Sequence, residues 1–275
     1  MRLAFSMLMQ ADEHASPMDR VRGLLALATA MDATGDALQA ESIARQAIAT
    51  AETYLGPNHP ELAADRLTWA ELLAATGDTA GCVEQSTRAK ASIADGTDIT
   101  VARATGQLAL CLDLAGELDA SRQQHEQAVQ KFEAIAAEGG VGDLGVALVN
   151  YADTLRRSGV TEDARALYVR ANDLAVAELG ADDPSALAGL SHTLLTLGHA
   201  GASRRTASRA RRAIDEDDPR PEDVLALLLL AEVAELRDDP ALRSAIIRQA
   251  TEYVAKMPGR VTVAAALADV RFSSP

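Results

Sequence analysis

The stretch Tyr151-Ala-Asp-Thr-Leu-Arg-Arg-Ser-Gly159-Val-Thr-Glu-Asp-Ala164-Arg-Ala-Leu-Tyr168-Val-Arg-Ala171 decides the fold. A large residue is followed by a small one, and an apolar side chain stands four residues before a glycine. A small residue then falls five positions after the glycine and an alanine twelve positions after it. The chain repeats this register about six times.

Gly35, Gly77, Gly116, Gly159 and Gly198 are separated by 42, 39, 43 and 39 residues, and Asp238 takes the next place 40 further on. Eight residues before these positions stand Leu27, Trp69, Leu108, Tyr151, Leu190 and Leu230. Seven before stand Ala28, Ala70, Ala109, Ala152, Ser191 and Ala231, and twelve after stand Ala47, Ala89, Ala128, Ala171, Ala210 and Ala250. A period near 40 in helix-forming sequence predicts a solenoid. Small residues let two antiparallel helices approach closely, and the large one fills the gap between neighbouring pairs. The turn glycine ends the first helix of each pair without a Cβ penalty.

Pro and acidic residues punctuate the repeats. Leu55-Gly-Pro-Asn-His-Pro60 separates the first two, and Leu179-Gly-Ala-Asp-Asp-Pro184 the fourth and fifth. Asn58 and Asp183 are placed to cap the helices that follow, with Pro60 and Pro184 near the first turns. Asp95 to Asp98, Gly139-Gly140 and Asp215 to Pro219 supply the other breaks.

Composition agrees. Hydrophobic residues make up 48% of the 275-residue chain but aromatics only 3%, so Ala and Leu fill the core, which suits helices rather than sheets. The net charge of −14 argues against a nucleic-acid surface, because phosphate contacts need a basic footprint. Cys82 and Cys111 cannot build a disulfide framework or a CxxC metal site, and their apolar settings mark them as small core residues. The longest apolar run, Val224 to Ala231, is too short to span a membrane. Met1 to Met9 has one early positive charge and no Ala-x-Ala site, so it reads as a capping helix or the end of a longer chain. Cytoplasmic residence is the expectation.

The pattern of large, small, turn and small residues resembles the tetratricopeptide repeat. The long period and the Leu-Gly-x-x-His/Asp-Pro linkers resemble the kinesin-light-chain type in particular. The likeness runs from about Pro17 to Pro258. It departs at Cys82, Ser121 and Ser203, where the second small residue is usually Ala, and more at Asp238 and Arg243, which makes the sixth repeat degenerate. The resemblance implies an all-α chain: a right-handed α-solenoid of six helix-turn-helix repeats at about 17–56, 57–97, 98–139, 140–181, 182–218 and 219–258. Terminal capping helices are expected at 1–16 and 259–275.

The resemblance also implies that the first helix of each repeat lines a concave face that takes extended peptides or partner helices. Carried onto this sequence, inward positions include Leu67 and Glu71 in repeat two, and Arg103, Gln107, Leu110 and Asp113 in repeat three. Repeat four supplies Val146, Asn150, Asp153, Arg156 and Arg157, and repeat five supplies His192. The ligand-binding candidates are Glu71, Arg103, Gln107, Asn150, Asp153, Arg156, Arg157 and His192. Asn150 matches an Asn common two positions before the core Ala in kinesin-light-chain-type repeats, where an amide can donate to and accept from a peptide backbone at once. The arginines can pair with a carboxylate-bearing ligand. Each is equally consistent with a solvated polar residue on a helix.

Arg204, Arg205, Arg209, Arg211 and Arg212 form the one basic run, and Asp215-Glu216-Asp217-Asp218 follows at once, so together they read as an internally compensated, solvated face. The five histidines show no metal-ligand spacing, the acidic run lacks the Asp-x-Asp-x-Asp-Gly frame, and no GxSxG, P-loop or GxGxxG element occurs. The expectation is a non-catalytic protein- or peptide-binding scaffold without cofactor or metal, whose partners are proteins or peptides rather than nucleic acid or membrane. The alternative is a peptide-sensing module of a bacterial-type signalling or transcription regulator. Ala-rich terminal helices can pair, but nothing in the sequence calls for self-association.

Overall fold

All six expected turns are closed by the same hydrogen bond. The amide after each turn residue donates to the carbonyl four residues before it: Asp36 to Met31, Asp78 to Leu73, Glu117 to Leu112, Val160 to Leu155, His199 to Leu194 and Asp239 to Ala234, at 2.8–3.0 Å. This is the Schellman closure, which needs a left-handed residue in between. Glycine supplies it five times, with φ between 76° and 92°, and Asp238 supplies it at φ 55°. Asp238 is the one non-glycine residue with positive φ among those described, so the degenerate sixth repeat keeps the turn and carries the strain of a Cβ there.

The computed structural model describes residues 16–32, 34–93, 99–137 and 143–256. Twelve helices occur among them: α1 (Pro17–Asp32), α2 (Ala37–Leu55), α3 (Leu62–Thr76), α4 (Thr79–Ser92), α5 (Ile99–Leu114) and α6 (Leu118–Ala137), then α7 (Leu144–Arg157), α8 (Thr161–Leu179), α9 (Pro184–Thr196), α10 (Ala200–Ala213), α11 (Pro221–Leu236) and α12 (Pro240–Lys256). They form six helix-turn-helix pairs, the odd-numbered helix being the A helix of each repeat and the even-numbered one the B helix. The chain divides into two compact halves, Met1–Ile135 and Ala136–Pro275. A helices pack side by side within each half: α1 on α3 and α3 on α5, then α7 on α9 and α9 on α11. The expected terminal capping helices and the breaks at 95–98 and 139–140 lie outside the described residues. Among the described residues, no helix is long and apolar enough to cross a membrane.

The small positions of the register are the tightest places in both halves. All twelve residues seven before and twelve after the turns are at most 1% exposed. Where serine replaces alanine in this seam, its hydroxyl bonds to the facing backbone. Ser121 donates to the Ala109 carbonyl at 2.9 Å, and Ser191 donates to the Ser203 carbonyl at 3.0 Å. A small polar residue is tolerated there because the backbone it faces is close enough to satisfy it.

Two expectations in the first half are corrected. Cys82 and Cys111 are fully buried, as core residues should be, but they are joined in a disulfide with Cα atoms 5.5 Å apart. The register explains it: Cys82 lies five after one turn and Cys111 five before the next, so both face the seam between α4 and α5. Closing a loop between residues 29 apart contributes about 3–4 kcal/mol in the chain-entropy account. Asn58 does not cap α3. That helix starts at Leu62 after Glu61 with no side-chain cap, and the nearby amide of Glu61 donates instead to Nδ1 of His59 at 3.3 Å. Asp183 does cap α9, accepting from the Ala186 amide at 2.9 Å, with Pro184 in the first turn.

Arg66, fully buried on α3, donates to the Glu52 carboxylate and to the Pro57 carbonyl, and Arg88 on α4 reaches the same Glu52 oxygen at 2.8 Å. The Glu52 carboxylate ties α2 to α3 and α4, and Arg66 adds the linker to the same cluster. Removing it would leave a buried guanidinium unpaired, which is more costly than losing a surface pair.

His125, on α6, is also buried, and burial pushes its pKa down to about 4. The unfolded chain therefore takes up this proton first. Its contribution to stability is complete above pH 6.5 and is lost as pH falls from there towards 4. The full effect is about 3 kcal/mol. Urea unfolding of the native chain and of His125→Gln, compared between pH 7 and 4, should show a smaller acid loss in the variant by about that amount. Equal acid losses would contradict it.

Candidate functional site

The sequence candidates fall in two groups. In the first half, Glu71 on α3 and Arg103 on α5 lie on neighbouring A helices and both are exposed. Although Glu71 reaches solvent, the helices around it partly desolvate its carboxyl and raise it, and Arg103 draws it partly back. Gln107 is half-buried, with its amide nitrogen 3.8 Å from the Cys111 sulfur. Leu67 and Asp113, expected to face inward, are buried instead, Leu67 among Ala63, Ala89 and Ala104.

In the second half, the candidates come together. Arg156 and Asp153 sit one turn apart on α7 with Nε and Oδ1 3.6 Å apart. The Tyr168 hydroxyl, from α8, donates to the same Asp153 oxygen. On α9, Nε2 of His192 lies 3.4 Å from the Glu232 carboxylate on α11, while its Nδ1 is buried with no hydrogen-bond partner. Burial raises the Asp153 carboxyl above the usual range, opposed by Arg156, Tyr168 and His192. The hydrogen bond with His192 holds the Glu232 carboxyl below its usual range, against the effect of burial. Asp153, His192 and Glu232 all stand six residues before a turn, so they form one row across three A helices.

Tyr168 and Glu232 were not among the sequence candidates. The signal for Glu232 was the register itself, extended into the degenerate sixth repeat. Nothing in the spacing marked Tyr168, whose reach depends on the neighbouring helix having no side chain in its way. A Cβ on Gly189 would lie 2.2 Å from the Tyr168 ring, so that glycine is the gap through which the phenol reaches Asp153.

Beside this row the A-helix face is open. Asn150 is half-buried and its amide makes no hydrogen bond among the described residues. Val146, one turn earlier on α7, is 61% exposed, and Leu225 on α11 is 49% exposed. Arg157 is exposed at the far end of α7. Among the described residues, no cluster of three His, Cys, Asp or Glu side chains is placed to hold a metal ion.

The basic run of α10 is not compensated by the acidic run after it. Arg209 forks onto Asp182 instead, with Nη2 to Oδ1 at 2.6 Å and Nε to Oδ2 at 3.2 Å. Asn172 holds the same linker by accepting from the Asp183 amide at 3.0 Å. Asp215 caps its own turn, accepting from the amides of Asp217 and Asp218. Short-range backbone donors reach that carboxylate before any arginine does.

The fit of Tyr168 against Gly189 makes a prediction. Gly189→Ala should cost about 1–3 kcal/mol by overpacking and displace the phenol from Asp153. In a Tyr168→Ala background, the same change should cost much less, because the obstructing ring is gone. Strictly additive costs in a double-mutant unfolding cycle would contradict the fit.

The tetratricopeptide-repeat family matches residues 23–61. No curated sequence matches the chain. Among solved structures, the nearly identical repeats of a Podosopora anserina protein assigned as a kinesin light chain share 19% identity over 73% of this chain and 97% of theirs, with a TM-score of 0.62. BtubC from P. vanneervenii shares 17% identity, covering 87% of this chain and 92% of its own, at a TM-score of 0.56. The Rap conjugation gene regulator of plasmid pLS20, solved with the Phr* peptide, shares 14% identity over 86% of this chain and 68% of its own, at 0.55. At these identities the likeness is one of fold, and it agrees with the turn register read from the residues. Six helix pairs closed by one recurrent turn, together with the repeat match at residues 23–61, give this chain a fold of the tetratricopeptide-repeat type, with kinesin-light-chain-like repeats among its structural neighbours.

Proposed function

We propose that the A-helix face of the second half binds an extended peptide segment or a partner helix, without catalysis. The observation that carries this reading is the unused hydrogen-bonding capacity beside exposed apolar side chains on one face. The Asn150 amide has no partner among the described residues, and Val146 and Leu225 present apolar surface on α7 and α11. An amide that both donates and accepts suits a peptide backbone, and flanking apolar residues supply burial. Asp153, Arg156, His192 and Glu232 form a preorganised polar row beside it, so little ordering cost falls on binding. Glu71, Arg103 and Gln107 are the corresponding candidates in the first half.

A second reading has one observation in its favour. The pLS20 Rap regulator, solved with a peptide, has a similar fold, so a peptide-sensing regulatory module is the alternative use of the same face. The cytoplasmic setting inferred from the sequence belongs to the same proposal. The Cys82–Cys111 bond is the feature that argues against it, because disulfides persist mainly in oxidising compartments.

The test uses peptides selected for binding from a random display library. Asn150→Ala combined with Arg156→Ala should weaken the selected peptides by about 10-fold to 100-fold, the range for losing a backbone hydrogen bond and a charged one. Far-ultraviolet circular dichroism would confirm that the helices persist. Unchanged affinity in the folded double variant would remove the A-helix face from consideration.

A further inference from the structure

A cleft lies on the opposite side of α11 from the row just described. Leu230, Val233, Ala234 and Arg237 recur at three- and four-residue spacing, so they share one stripe of that helix. Together with Leu242 and Ile246 of α12 and Ala207 of α10, they line a cavity of about 240 Å³. Its floor is apolar, and Arg204, Arg211 and Arg237 stand around it with the Ser208 hydroxyl.

The cleft follows from the sequence of α10. That helix consists of Ala, Gly, Ser, Thr and Arg alone, and the residues it buries are Ser203, Thr206 and Ala210. Nine residues after its turn it carries Ala207, where the corresponding position of α8 carries Tyr168. No large side chain bridges from α10 to α11, so the space between the two B helices α10 and α12 stays unfilled above α11. This is the reverse of the preceding junction, where Tyr168 is large and Gly189 gives way.

The charge around the cleft is unspent. In a chain with net charge −14, none of Arg204, Arg211 and Arg237 pairs with a carboxylate among the described residues. Arg211 is fixed by donating from Nη2 to Gln249 at 3.2 Å, while its Nε is buried with no acceptor. Guanidinium forks match a carboxylate by geometry as well as charge. The volume selects among carboxylates. It falls below the range of about 300–1,000 Å³ typical of sites for whole small ligands, and it is the size for one large side chain. An apolar side chain with a carboxylate on the same Cα is the chemistry of a C-terminal residue.

We propose that this cleft captures the C-terminal residue of a partner chain, with a Leu- or Phe-like side chain on the floor and the free carboxylate among Arg204, Arg211 and Arg237. The site is independent of the A-helix face, so either can fail without the other.

The experiment is fluorescence-polarisation titration of the native chain with labelled peptides ending in Gly-Ser-Gly-Ser-Leu, as the free acid and as the C-terminal amide, and ending in Gly instead of Leu. The free-acid Leu peptide should bind at millimolar concentration or below, and amidation or the Gly ending should weaken it at least about tenfold. Arg204→Ala with Arg237→Ala should have the same effect, and so should Ala207→Phe, which fills the cleft. Asn150→Ala with Arg156→Ala should leave this binding unchanged. Equal binding of acid and amide, no binding of the acid at millimolar concentration, or competition only by decanoate would each overturn the proposal. Arg204 is exposed and Arg237 is half-buried at the end of α11, so their substitution keeps the test valid even if Ala207→Phe does not fold.

Discussion

The close approach of two helices at paired small residues is the constraint on which the rest of this structure depends. Ala28 with Ala40, Ala70 with Cys82, Ala109 with Ser121, Ala152 with Ala164 and Ser191 with Ser203 are removed from solvent, and no larger side chain would fit without pushing the helices apart. Once each pair is closed, the direction of the second helix is set by a single left-handed turn residue. The same carbonyl then accepts the same closing bond in every repeat. Inward and outward positions follow from that register, which is why a row of polar residues can align across three A helices.

Variation within the constraint produces the local character. Serine in the seam turns outwardly identical packing into cross-helix hydrogen bonds, and cysteine turns it into a covalent link. Between repeats, the large and small partners trade places. Tyr168 passes over Gly189 to anchor Asp153, whereas Ala207 leaves the next junction open. The first arrangement preorganises a polar row, and the second creates a cavity. Both arise from the residue nine positions after a turn.

The architecture was legible in the sequence because it rests on residues whose physics is local: turn glycines, small seam residues, and Pro184 with Asp183 at a helix start. Even Asp238 could be placed, since spacing alone put it at the turn. What escaped depended on tertiary partners. Two cysteines 29 residues apart carry no spacing signal, and only the packing of α4 on α5 brings them into bonding range. Asn58 looked like a cap, but the chain enters α3 three residues later than that role requires. Glu232 was passed over because its repeat departs from the pattern at Asp238 and Arg243, although its helix keeps the register. The arginines of α10 were read against the nearest acids in sequence, whereas Arg209 bonds Asp182, 27 residues away.

The central claim, that a partner peptide lies on the A-helix face of the second half, is tested most directly by site-specific photocrosslinking. A benzophenone side chain placed at Val146 or Leu225 on that face, or at Leu179 at the end of the B helix α8, reports what each position touches. All three positions are exposed, at 61%, 49% and 78%, so none should disturb the core. The account predicts crosslinks to a selected peptide from Val146 and Leu225 and none from Leu179. Crosslinks from Leu179 alone would contradict it.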